Sequence, residues 1–97
     1  MFSAVVEQRW SLHDRLQRSA DWDDGIAVWH EQTGQTVALA PFAAAVFSQL
    51  EASGCAGHDE IVDTLSRDES GDRDRIALLV AQTLLEFERL DIAFRHS

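Results

Sequence analysis

Residues 26–47, Ile-Ala-Val-Trp-His-Glu-Gln-Thr-Gly-Gln-Thr-Val-Ala-Leu-Ala-Pro-Phe-Ala-Ala-Ala-Val-Phe, read as strand, turn, strand and helix in direct succession. Positions 26–31 alternate Ile and Val against Ala and Trp and are rich in strand formers. Thr33-Gly34 supplies the turn, where glycine adopts positive φ without a steric penalty. Positions 35–39 return as a second strand. There Val37 and Leu39 share one face, and Thr36 and Ala38 the other. At Ala40-Pro41 the period changes from two to 3.6. Proline suits a first helical position because its missing N–H is not needed there.

The helix that starts at Pro41 is expected over 41–52, with Phe42, Val46 and Leu50 in one stripe, Phe47 beside it and Gly54 ending it. A second helix is expected over 58–67, its Ile61, Val62 and Leu65 inward and Asp59 and Glu60 in its first turn. The last and longest, 73–90, carries a core stripe of Ile76, Val80, Leu84 and Phe87, widened by Leu79, Thr83 and Leu90. Leu78 and Leu85 fall well outside that stripe and form a second apolar face. Upstream, Arg9–Leu12 is a candidate strand. Residues 14–25 are polar, hold Asp21, Asp23, Asp24 and Gly25, and read as a loop in which Trp22 could plug one end of the core. Ile92 and Phe94 alternate as a short closing extension.

The expected fold class is α+β: an N-terminal three-stranded antiparallel sheet or hairpin followed by three helices, in one domain spanning 1–97 with its core over about 8–94. A core of this size buries roughly 60–70% of the unfolded chain's surface, and a deep enclosed pocket would consume much of it. Seventeen acids face eight bases, all arginine, for a formal charge of −9. The bases are scattered with acids between them, which argues against nucleic acid and suits a basic peptide or protein partner. The single cysteine, Cys55, excludes an internal disulfide and fits the cytoplasm. No apolar run is long enough to span a membrane, and the first twelve residues do not form a secretory signal.

No residue set reads as catalytic, and no metal or cofactor is implied. Cys55-x-x-His58 with isolated His13, His30 and His96 lacks the convergent ligands of a metal site. The Asp21, Asp23 and Asp24 cluster lacks calcium-loop spacing, and the glycines punctuate turns without forming a phosphate loop. Trp29 either packs on the third helix or stands exposed as a binding anchor.

Taken together, Gly25-Ile-Ala-Val-Trp, the Thr33-Gly34 turn, the run from Thr36 through Leu39-Ala-Pro into the helix, Glu60-Ile-Val-Asp-Thr-Leu and Leu84-Leu-Glu-Phe-Glu-Arg-Leu-Asp-Ile resemble the PqqD-like peptide chaperones, the winged-helix recognition elements of RiPP precursors. Within that family the chain is most similar to the members of the HPr-rel-A system, which share the tryptophan-containing start (here Trp22) and the Leu39-Ala40-Pro41 helix start.

The resemblance implies a winged-helix-like, non-catalytic binder that holds a leader-like peptide as an added strand. Carried over, the edge is Gln35, Thr36, Val37, Ala38 and Leu39 of the third strand. The facing groove wall would come from the third helix through Leu78, Gln82, Leu85 and Arg89, a placement extrapolated beyond the family motif. The implied partners are such a peptide, or an HPr-kinase-related or nucleotidyltransferase-like protein. Two other readings stand beside it. One is a structural subunit that pairs with itself through the same edge and Leu78/Leu85. The other is a winged-helix DNA binder, disfavoured by the balanced charge of 73–90 and the acidity of 58–67.

Overall fold

The structure, a computed structural model, describes residues 8–22, 25–68 and 72–96. The elements in chain order are β1 (Arg9–Leu12), β2 (Leu16–Trp22), β3 (Gly25–His30), β4 (Thr36–Leu39), α1 (Pro41–Ser53), β5 (Ala56–Gly57), α2 (His58–Asp68), α3 (Arg73–Arg89) and β6 (Ala93–His96). The strands form two antiparallel three-stranded sheets, ordered β2-β3-β4 and β5-β1-β6. With three helices, this is an α+β, winged-helix-like arrangement.

The expected hairpin and helices are present, but the strand inventory is larger than the sequence reading. The polar stretch read as a loop holds β2, which pairs with β3 from Leu16↔His30 to Trp22↔Gly25. A register shift between Arg18 and Ala20 breaks its alternation, so no period of two is visible in Leu-Gln-Arg-Ser-Ala-Asp-Trp. Asp23, Asp24 and the side chain of Trp22, proposed above as a plug, lie outside the described residues. β1 does not join the hairpin: it is the centre of the second sheet, paired to β6 from Arg9↔His96 to Leu12↔Ala93 and to β5 through Trp10↔Ala56. The closing extension is therefore a paired strand. Gln35 lies just before β4, not within it.

Local chemistry explains the boundaries. Pro41 opens α1, and Gly54, at φ 80°, closes it with its N–H donating to the Leu50 carbonyl. Asp72 caps α3 by accepting from the Asp74 N–H at 3.0 Å. Asp91, at φ 59°, turns the chain from α3 into β6.

The core lies between the β2-β3-β4 sheet and the helices. Ile26, Val28 and Leu39 meet Val46, Phe47 and Leu50 of α1, Ile61 and Val62 of α2, and Ile76, Val80, Leu84 and Phe87 of α3. Phe47 and Phe87 meet edge to face with ring centroids 6.5 Å apart. Trp10 ties the second sheet to this core. Its ring is buried, and its indole N–H donates to Glu88 Oε2 at 2.6 Å, so the one polar atom of the ring has a charged partner.

Candidate functional site

β4 is an edge strand: β3 covers one side, and no strand lies on the other among the described residues. The direction of its backbone groups follows from two hydrogen bonds. His30 N–H donates to the Gln35 carbonyl at 2.9 Å, and Glu31 N–H donates to the Arg15 carbonyl at 2.9 Å. In an antiparallel ladder successive residues turn their N–H and C=O to opposite sides. With the register Val28↔Val37 and Ile26↔Leu39, Val37 and Leu39 bond inward to β3. Thr36 and Ala38 therefore turn their N–H and C=O outward, to the open edge.

The side chains obey the complementary alternation. Leu39 is buried and Val37 half-buried against the core, whereas Thr36 and Ala38 are exposed. Trp29, paired with Thr36, lies on the face away from Ile26 and Val28 and is 37% exposed.

Beside this edge runs a cleft of about 350 Å³ between β4 and α3. Val37, Leu39, Phe87 and Leu90 give it apolar walls, Ala40 and Ala43 close it at the start of α1, and Gln82, Thr83 and Glu86 bring polar groups from α3. The Thr83 hydroxyl donates to the Leu79 carbonyl at 2.8 Å, so it is engaged within the helix. Glu86 is hydrogen-bonded and ion-paired to Arg89. That bond holds the Glu86 carboxyl below the usual carboxylate range and raises the Arg89 guanidinium above its ordinary value.

The four α3 positions singled out from sequence distribute unevenly. Gln82 lines the β4 cleft, and Arg89 reaches it only through Glu86. Leu85 lines a different cleft, of about 300 Å³, on the other flank of α3 with Trp10, His58, Ala81, Leu84 and Arg95. Leu78 is 59% exposed and lines neither cleft. At about 100° per residue the row Leu78, Gln82, Leu85 and Arg89 points away from the Ile76, Val80 and Leu84 stripe, and the helix flank that meets β4 is Gln82, Thr83, Glu86 and Leu90. Sequence reasoning assigned Phe87 and Leu90 to the core alone. Their second role depends on which flank of the helix the sheet edge approaches, which periodicity does not encode.

The remaining candidates for chemistry have structural partners. Cys55 Sγ accepts from Arg9 Nε at 3.4 Å, and His58 Nε2 lies 2.8 Å from the Ala77 carbonyl. Among the described residues no group of three or more His, Cys, Asp or Glu side chains converges as a metal site would, and no helix is long and apolar enough to cross a membrane.

No protein-family model and no curated protein sequence matches the chain. Two solved structures share its fold. One is TbiB1 in complex with the TbiA(beta) leader peptide, at 24% identity and a TM-score of 0.74, covering 86% of this chain and 93% of that one. The other is lasso peptide synthetase B1 complexed with the leader peptide, at 15% identity and a TM-score of 0.72, covering 88% of this chain and 96% of that one.

Proposed function

We propose that this chain is a non-catalytic peptide-binding adaptor that holds a leader-like peptide as an additional strand on β4. The observation that carries the reading is the open β4 edge lying directly beside an apolar cleft. The outward N–H and C=O groups of Thr36 and Ala38 offer the ladder. Peptide residues opposite Val37 and Leu39 then project alternate side chains toward Phe87 and Leu90. Both structures that share the fold hold leader peptides, which supports the same use of the fold here.

In this reading the strand side of the site is Gln35, Thr36, Val37, Ala38 and Leu39; of the helix residues expected from the sequence, Gln82 lines the cleft and Arg89 meets it only through Glu86, whereas Leu78 and Leu85 stand on other flanks of α3 and are left out of the site. Gln82 is the contact best supported by the cleft, and Thr83, Glu86, Phe87 and Leu90 join the set. The acidity of the chain, −9 overall, favours a ligand with basic residues flanking its apolar ones. One domain, 1–97, carries the activity in the cytoplasm, where its free Cys55 is at home. The presented peptide would be delivered to a modifying enzyme, or to an HPr-kinase-related or nucleotidyltransferase-like protein.

The test is an amide NMR titration of the ¹⁵N-labelled chain with leader-type peptides encoded beside it. Shifts concentrated on residues 35–39 and on Gln82 to Leu90 support strand addition. A saturable complex whose shifts avoid both segments overturns the site, and no binding by any such peptide overturns the function.

A further inference from the structure

Among the described residues, no element covers the outer face of α3 around Leu78 and Leu85. Leu78 and Leu85 are 59% and 58% exposed, seven residues apart on one row of a 17-residue helix. Between them stands Ala81, small enough for a close helix approach. Beside Leu85 lies the cleft of about 300 Å³ walled by Trp10, Ala81, Leu84 and Leu85 and edged by His58 and Arg95. An exposed leucine two turns before a second one that borders an open cleft is a self-complementary pattern.

We infer that this face binds a second copy of the chain, through an antiparallel α3–α3 pair on a two-fold axis. The proposal stands independently of peptide binding at β4. With the axis between Ala81 and Gln82, Leu78 of one copy lies level with Leu85 of the other and enters the cleft beside it, and the reverse contact follows by symmetry. Charge complementarity selects this arrangement. The same axis sets Asp74, in the first turn of α3, level with Arg89 in the last turn of the second copy, giving two opposite-charge contacts per dimer. A parallel pair would instead set Asp74 against Asp74 and Arg89 against Arg89. Arg89 keeps its bond to Glu86, because a guanidinium has five N–H donors.

The β4 edge meets α3 mainly through Thr83, Glu86 and Leu90, so the cleft shares only Gln82 with the seam and the dimer leaves the two β4 edges themselves uncovered. A single helix pair, about 25 Å long, is small for a stable interface, which places the equilibrium in the weak, concentration-dependent range.

The experiment is sedimentation of the full chain from about 5 µM to about 1 mM, bracketing a weak dissociation constant. A monomer–dimer equilibrium is expected. Leu78→Glu and Leu85→Glu should each raise the dissociation constant at least about tenfold while circular dichroism reports an unchanged fold. Asp74→Arg should weaken the dimer, and Asp74→Arg combined with Arg89→Asp should restore it. A chain that stays monomeric throughout overturns the proposal and leaves the face to a different protein. A dimer indifferent to both leucine changes overturns the face, and a charge swap that fails to restore association overturns the antiparallel register.

Discussion

Gly25 lies so close to Leu39 that a Cβ on it would stand 1.9 Å from the Leu39 carbonyl oxygen, and its φ is 143°. The start of β3 and the end of β4 thus meet where only glycine fits, and the open edge is positioned by that contact. Gly25→Ala faces both a backbone clash and a left-handed conformation, and should cost about 2–4 kcal/mol. Urea unfolding measures the loss. Peptide affinity should fall with it, since β4 must shift away from β3 to relieve the clash.

Proline separates the two sides of β4. Ala38 turns its N–H to the open edge, so Ala38→Pro removes a group that β3 does not use. Its unfolding midpoint should change little, while affinity for an added strand drops at least about tenfold through a lost hydrogen bond and steric blockade. Val37→Pro removes an N–H that bonds to β3 and should destabilise the fold itself. Equal effects of the two substitutions, in titration and unfolding, would contradict the assigned ladder direction.

Phe87 serves the core and the cleft together, packing against Phe47 and lining the β4 groove. Phe87→Ala should destabilise by about 3–5 kcal/mol. Gln82→Ala, at an exposed position of the same cleft, should stay within about 0.5 kcal/mol and change only ligand affinity, measured by calorimetry on the folded variant.

Acid should weaken one surface contribution in a defined direction. Arg89 lowers the Glu86 carboxyl below its ordinary range, so folding favours the ionised form. The stabilisation is fully present above the unfolded-state carboxylate value and is lost as pH falls through the lowered folded-state value. Both groups are exposed, so the effect is small and screened by salt. Urea midpoints of the wild type and Arg89→Gln, followed across the acid range at low salt, should differ at neutral pH and converge at the acid end.

The sequence carried the hairpin and the helices because each has a strong local cause: the Thr33-Gly34 turn, Pro41 opening α1, and the Ile76, Val80, Leu84 and Phe87 stripe of α3. Strand β2 escaped because its residues are mostly polar and a register shift interrupts its period. The two residues of β5 are strand only because Trp10 pairs with Ala56 and Arg9 with Gly57 across the fold. At the site, the edge residues were legible from alternation, whereas the choice between Leu85 and Glu86 as the cleft flank of α3 was not. Both lie outside the core stripe, and only the approach of the β4 edge distinguishes them.

The outward backbone groups of Thr36 and Ala38 are few. A strand added there gains at most about four ladder hydrogen bonds, each worth only about 0.5–1.5 kcal/mol net, which the loss of translational and rotational freedom on association largely offsets. Main-chain pairing therefore sets the orientation of a ligand without holding it for long. Residence time falls to the one or two side chains that reach Phe87 and Leu90. Such a short handhold would align an added strand far more than it would retain it.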